Sequence, residues 1–109
     1  MTDQALFILA GLVRGELHGY GIARDVEELS GGRVKLTAGT LYGALNRLVE
    51  EGLIAQTREQ EVGGRRRRYY RLTSRGETVL VEEAARLRST AAALSARAAM
   101  RADPSPGPA

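Results

Sequence analysis

An arginine cluster is the strongest chemical signal in this sequence. Arg65–Arg68 and Arg71 lie within seven residues, directly after the glycine pair Gly63-Gly64. A guanidinium group presents its N–H donors in a planar fork, which matches the oxygens of a phosphate group. A run of charge is often only a solvated face, but here the acids close in sequence are limited to Glu59 and Glu61. The cluster therefore favours a phosphate-binding surface.

Other kinds of site chemistry are poorly represented. The chain has no cysteine, which excludes thiolate metal sites, and its single histidine, His18, cannot form a multi-histidine site. We expect His18 to be a structural or solvent-facing residue. Pairs of adjacent glutamates occur only in predicted helices, where neighbouring side chains diverge. With no nucleophile–base pair, P-loop or dinucleotide-binding motif, the sequence predicts a protein that is not an enzyme and needs no cofactor or metal.

A helix predicted upstream of the cluster presents a second polar surface. Between residues 35 and 54, four apolar residues recur at helical spacing, with a threonine before them as a cap and a glycine after them as a stop. The opposite face is small and hydrogen-bonding in its first two turns and acidic only at its far end. We predict that this face lies in the major groove of DNA. The apolar residues, cap and stop are Leu41, Leu45, Leu48, Val49, Thr37 and Gly52.

This helix and the arginine cluster supply the candidate DNA-binding residues. Thr37 and Thr40 are expected to cap the helix and to hydrogen-bond phosphate or base, and Tyr42 to place its hydroxyl on a phosphate. Asn46 and Arg47 are best suited to reading base edges. The cluster is expected to contact the backbone or the minor groove, with flanking phosphate contacts before the helix. The predicted set is Arg33, Lys35, Thr37, Thr40, Tyr42, Asn46, Arg47, Gly64, Arg65, Arg66, Arg67 and Arg68.

Two further helices and a short strand are predicted in the N-terminal half. Apolar spacing predicts one helix over Asp3–Arg14, with Asp3 as its cap, and another over Tyr20–Ser30. Val34 and Leu36 alternate with basic residues, which suits a very short strand. These elements precede the polar-faced helix and are expected to pack against its apolar side.

The C-terminal half predicts a β-hairpin and one long helix. Strands over Ile54–Glu61 and Arg65–Leu72 flank a Val-Gly-Gly turn. The last helix is expected to start at residue 73 or 74, where Ser74 and Glu77 match a capping box, and to run to about Met100.

Leucine and alanine alternate along this last helix at heptad spacing, which indicates a close helix–helix contact. The stripe could pack within one chain, but a chain of this size has few other apolar elements to cover it. The first helix is also apolar around much of its circumference. We therefore predict a homodimer, and the expected interface residues are Phe7, Ile8, Leu12, Leu80, Ala84, Leu87, Ala91 and Leu94.

The order helix, helix, short strand, helix, hairpin, long helix is that of a winged helix-turn-helix followed by a dimerisation helix. The predicted fold class is therefore mainly α with a small β-hairpin (α+β). We predict a DNA-binding domain over residues 1–72 and a dimerisation helix over 73–101, packed on it and on the partner's N-terminal helix. The proline-rich segment 102–109 is expected to be a disordered tail.

The length, net charge and hydrophobicity of the chain agree with one small domain. The chain has 109 residues and a net charge of +3, and no apolar run approaches the ~18 residues of a membrane span. The N-terminus lacks a charged leader and a small-residue cleavage site. We expect a cytoplasmic protein.

Three segments resemble the PadR family of transcriptional regulators. They are HGYGIARDVEELSGG (residues 18–32), TAGTLYGALNRLVEEGLI (37–54) and RRRRYYRLTSRGETVL (65–80), in the family's order and spacing. The resemblance covers roughly residues 4–90 and is closest to the subfamily with a compact C-terminal part. It implies a homodimeric repressor of a palindromic operator on double-stranded DNA, often released by a small aromatic effector, which we place at the dimer interface.

Two other functions are compatible with a winged helix. One is a protein-interaction module, which would favour a mixed-charge hairpin rather than the nearly pure cationic one found here. The other is an RNA-binding module, which competition between duplex DNA and RNA would distinguish.

Overall fold

The computed structural model describes residues 1–102. Within them the chain forms four helices and an antiparallel sheet of three strands in the order β1-β3-β2, which confirms the predicted α+β fold class. The predicted tail lies outside the described residues, except for Ala102 at the end of the last helix. The elements are α1 (Asp3–Gly11), β1 (Leu17–His18), α2 (Gly19–Leu29), α3 (Ala38–Glu50), β2 (Ile54–Val62), β3 (Arg65–Leu72) and α4 (Ser74–Ala102).

Helix α1 is shorter than predicted and begins with a different cap. The hydroxyl oxygen of Thr2 accepts a hydrogen bond from the backbone N–H of Ala5 at 3.1 Å, so Thr2 is the N-cap rather than Asp3. The helix ends at Gly11 instead of Arg14, because the chain continues in tighter turns whose hydrogen bonds span three residues. These turns lead directly into β1.

The short strand lies elsewhere than predicted. Leu17–His18 pairs antiparallel with Tyr69–Tyr70 of β3 and becomes the third strand of the sheet. The predicted strand at Val34 and Leu36 is wrong, since both lie in an irregular segment between α2 and α3. Their alternation arises because both side chains are half-buried against the core, while the backbone N–H of Val34 donates to the Ser30 hydroxyl at 2.9 Å.

The predicted hairpin is present, and we call the β2–β3 hairpin the wing. Its turn consists of Gly63 and Gly64, both with positive φ (57° and 78°), as a tight two-residue hairpin turn requires. Strand β2 extends to Val62, and its pairing with β3 shifts register between Gln56 and Arg58. Such a bulge increases the local twist and bends the strand that carries it.

Helix α3 is held by its apolar face. Leu41, Leu45 and Leu48 are at most 4% exposed and lie in the central core. The cap at Thr37 and the stop at Gly52 (φ 76°) are as predicted. Because the apolar side is anchored in this way, the opposite side of α3 faces solvent. The other core residues are Ile8, Leu9, Leu12, Ile22, Val26, Leu53, Ile54 and Tyr70.

Helix α4 is capped by Thr73. The Thr73 hydroxyl oxygen accepts a hydrogen bond from the backbone N–H of Gly76 at 3.0 Å, and the predicted capping box of Ser74 and Glu77 is wrong. A side chain at Gly76 would collide with the carbonyl of Leu53. The first turn of α4 is therefore packed tightly against the end of the α3–β2 connection.

The predicted interface residues fall into two groups. Ile8 and Leu12 are buried in this chain's own core (0% and 2% exposed), so they have no surface for a second subunit and the prediction for them is wrong. Phe7 and Leu80 are half-buried, whereas Leu87 and Leu94 are 41% and 66% exposed. The intervening Ala84 and Ala91 are exposed as well.

Among the helices of residues 1–102, none combines the length and hydrophobicity that crossing a bilayer requires.

Candidate nucleic-acid interface

An open groove of about 790 Å³ lies between the N-terminus of α2, the N-terminus of α3 and the wing. Helix N-termini carry unpaired backbone N–H donors and a partial positive charge. Arginines of β3 form the opposite wall, so three sources of positive potential converge on one concavity. The lining residues are His18, Gly19, Tyr20, Ala23, Arg24, Glu27, Lys35, Leu36, Ala38, Leu41, Tyr42, Arg65, Arg66 and Arg67.

The N-terminus of α3 presents a pair of threonines. The Thr37 hydroxyl accepts from the backbone N–H of Thr40 at 3.3 Å and donates its own proton to the Thr40 hydroxyl at 3.0 Å. Because Thr40 acts as the acceptor in that contact, its own hydroxyl proton remains available for an external acceptor. Both residues are exposed, as their predicted role requires.

Tyr42 lies at the border between α3 and α2. A Cβ built on Gly19 would be 2.8 Å from the Tyr42 hydroxyl oxygen, so glycine is needed there for the tyrosine to pack. The side chain is 37% exposed and lines the groove. Its hydroxyl is therefore next to the first turn of α2, in a position to reach a phosphate.

The two predicted base-reading residues differ in position. Asn46 and Arg47 are both exposed on α3 and lie about 100° apart around the helix axis. Arg47 lies on the flank away from the groove, where it borders a depression that also includes Ala5 and Glu83. Gly39 and Gly43 have open space where a Cβ would be, which leaves the α3 backbone accessible between these side chains.

The wing arginines are not equivalent. Arg66 and Arg68 each form an ion pair with Glu59, at 3.5 and 3.4 Å. Arg65 and Arg67 take part in none of the ion pairs found among residues 1–102, and both line the groove, as does Arg66. Gly64, the remaining predicted wing residue, occupies the turn and allows it to bend.

The two basic residues predicted as phosphate contacts before α3, Lys35 and Arg33, face different surfaces in the structure. Lys35 lines the groove and makes a long, exposed ion pair of 3.9 Å with Glu27. Arg33 is not brought to the groove, because its Nε donates to the Ser30 carbonyl at 3.1 Å and its guanidinium lies 6.0 Å from the Phe7 ring. These contacts direct Arg33 toward α1, so its predicted phosphate contact is not supported by the structure.

A cluster at the base of the wing was not predicted. Arg58 stacks on the Tyr69 ring at 3.9 Å and its Nε donates to the Glu16 carboxylate at 2.8 Å. Hydrogen bonds from Thr57 and Arg58 lower the pKa of the Glu16 carboxyl. Partial burial lowers the pKa of His18, whose ring lies 5.6 Å from that of Tyr69, and the nearby charge of Arg67 adds to the effect. No local pattern connects residues so far apart in sequence.

The chain is similar to known transcriptional regulators. The model of the Transcriptional regulator PadR-like family matches residues 8–82. A transcriptional regulator of Mycobacterium tuberculosis is 37% identical over 78 residues, which are 72% of this chain and 69% of that protein. An uncharacterized 37.1 kDa protein of a Streptomyces fradiae transposon is 39% identical over 83 residues, 76% of this chain, and this chain spans only 22% of its length. The structure of Bacillus subtilis PadR in complex with operator DNA has a TM-score of 0.65 at 29% identity, over 74% of this chain and 46% of that one.

Proposed function

Because this chain belongs to the PadR-like family of transcriptional regulators, we propose that it is a homodimeric repressor that binds a palindromic DNA operator. The observation that carries the proposal is the groove, where two helix N-termini and the wing arginines surround one opening. Backbone N–H groups and guanidinium groups both favour phosphate oxygens. The similar Bacillus subtilis PadR is described in complex with operator DNA.

In this proposal α3 enters the major groove with its outer face. Gly39 and Gly43 leave the helix backbone bare, so the first two turns can approach the base edges closely. Thr40 and Asn46 then supply the hydrogen-bonding side chains, Asn46 being suited to adenine. Tyr42, at the edge of the groove, contacts a backbone phosphate and fixes the register of the helix.

The wing holds the neighbouring backbone in this arrangement. It ends in the glycine turn, and Arg65 and Arg67 line the groove together with Arg66. Arginines at such a position can contact phosphates or enter the minor groove beside the major groove read by α3. Lys35 adds a phosphate contact on the same side as the α3 N-terminus.

The second subunit is expected to cover α4. This helix has 29 residues, about 44 Å at the standard rise per residue, and it packs against α1 at its beginning. Leu87 and Leu94 lie on its stripe and are 41% and 66% exposed. A long exposed helix with an apolar stripe is stable when a partner buries that stripe, and a two-fold pairing here would place two α3 helices at a set distance.

A small aromatic effector belongs to the proposal through the family resemblance alone. Bound between the two α4 helices, it would release the operator only if it favoured a dimer in which the two α3 helices no longer match the half-site spacing.

The function is tested by selecting bound duplexes from a random DNA pool. The expected result is a palindrome, because half-site spacing reflects the two-fold axis of the dimer. Equal binding of duplex RNA in competition would favour an RNA-binding module instead. Recovery of no enriched sequence and of no DNA would contradict the proposal.

A further inference from the structure

The pairing register divides the wing into two chemically different faces. On one face Glu59 is opposite Arg68, and Glu61 is opposite Arg66. On the other face the partners of Arg67 and Arg65 are Gln60 and Val62, which carry no charge. Residues directly opposite in an antiparallel pair lie side by side on the same face, so acids accompany only one of the two pairs of arginines.

One carboxylate on the first face is shared between two arginines. Glu59 Oε2 lies 3.5 Å from Arg66 Nη1, and Glu59 Oε1 lies 3.4 Å from Arg68 Nε. Glu61 takes part in none of the ion pairs found in the described chain, although it is opposite Arg66 in the register. Glu59 therefore partly neutralises two arginines at once, while the charges of the other pair are not balanced in this way.

We propose that Glu59 competes with DNA phosphate for Arg66 and Arg68, so that the wing contacts the DNA backbone mainly through Arg65 and Arg67. A carboxylate and a phosphate occupy the same donors of a guanidinium group. Glu59 also brings a negative charge next to a surface intended for a polyanion. The inference rests on the proposed DNA-binding function and concerns how strongly that surface binds DNA of any sequence.

The competition is weak, so it adjusts the affinity of the wing for DNA rather than abolishing it. All three side chains are partly exposed, and exposed ion pairs contribute little to stability. Glu59 therefore reduces the attraction of Arg66 and Arg68 to phosphate without abolishing it. Because phosphates carry no sequence information, Glu59 lowers the affinity for operator and non-operator DNA alike.

The test compares Glu59→Gln with Glu61→Gln on the full chain. Each variant removes one negative charge from the wing, but only the first releases arginines from an ion pair. The probe is a fluorescein-labelled duplex of random sequence, about 30 base pairs long so that it spans two half-sites. We expect Glu59→Gln to bind about fivefold more tightly, with a salt slope steeper by up to about 1.8 per wing because two arginines are released, and Glu61→Gln to keep the slope of the parent.

Arg68→Ala, introduced alone and together with Glu59→Gln, identifies the group that is released. Alone it is expected to change the salt slope little, because Arg68 is already occupied. Combined with Glu59→Gln it is expected to remove about half of the increase in slope, because Arg66 stays released. Thermal unfolding of each variant checks that the wing remains folded.

The outcomes separate this inference from the proposed function. If the parent shows no salt-dependent binding to the duplex, both fail. If the parent binds but Glu59→Gln has the same slope as Glu61→Gln, the competition is refuted while DNA binding stands. If Glu59→Gln binds more weakly than the parent, Glu59 orders the arginines for DNA instead of competing with it, and the inference is again wrong.

Discussion

Arg67→Ala is the most direct test of the wing as a phosphate-binding element. Arg67 lines the groove and is in none of the ion pairs found among residues 1–102, so its removal should cost a DNA contact rather than an internal one. Each lost phosphate contact reduces the slope of log K against log salt by about 0.9. A dimer with two wings would lose about 1.8.

This slope predicts how the affinity deficit depends on salt. Between about 200 and 50 mM salt, a slope difference of about 1.8 corresponds to a factor of roughly 10. The variant should therefore lose about tenfold more affinity, relative to the parent, at the lower salt concentration. The loss should be similar for operator and random duplexes, because phosphates carry no sequence information.

The assay is a titration by fluorescence anisotropy at several salt concentrations, with Arg71→Ala as the matched control. Arg71 lies on the same strand opposite Ala55, at the end away from the turn, and is outside the groove lining. The control should keep the parent slope. Equal slopes for Arg67→Ala and the parent would mean that the wing makes no phosphate contact at this residue.

Four further predictions follow from the core, the groove and α4. Leu87→Asp should give monomers in analytical ultracentrifugation and abolish operator binding, because it places a charge in the proposed dimer contact. Leu48→Ala should lower the free energy of unfolding by about 2–5 kcal/mol in urea denaturation, since the side chain is 3% exposed. Gly19→Ala should weaken DNA binding measured by anisotropy, because its Cβ would displace the Tyr42 hydroxyl. The pKa of His18 is lower in the folded protein than its unfolded value near 6.5. At pH values between the two, the unfolded state binds more protons, so the free energy of unfolding should fall as pH falls.

Matched variants and contrary results sharpen these tests. Val49→Ala removes an apolar group that is 38% exposed and should cost less than Leu48→Ala; an equal cost would contradict the placement of the core. Gly43→Ala has open space for its Cβ and should not destabilise α3. His18→Gln should remove the pH dependence in that interval, and an unchanged profile would assign it elsewhere. A dimeric Leu87→Asp protein would exclude the stripe on α4 as the contact.

Local sequence was sufficient to predict the elements that carry the candidate site. The period of Leu41, Leu45 and Leu48, with Thr37 before it and Gly52 after it, is a property of a single helix. The glycine pair at 63–64 likewise dictates a hairpin, because both residues adopt positive φ. Such signals need no knowledge of the rest of the chain, and the order of these elements was enough to predict the winged-helix fold class.

The role of each charged residue depended on contacts between distant segments. Arg33 and Arg67 are both arginines near a predicted binding surface, but packing directs the first toward Phe7 and leaves the second in the groove. Glu16 and Arg58, which form an ion pair, are 42 residues apart in sequence. Ion pairs of this kind are set by strand register and helix packing, which a one-dimensional pattern does not specify.

Periodicity and turn residues act locally, so they predict a helix with a polar outer face, a cationic hairpin and a long helix with an apolar stripe. Contacts between distant segments are what make β1 the third strand of the sheet, bury Ile8 and Leu12 in the chain's own core, and pair Glu59 with two of the four wing arginines. Burial and ion pairing depend on which surfaces meet in space. Hydrophobicity and charge identify the residues that can take part, and the fold selects their partners.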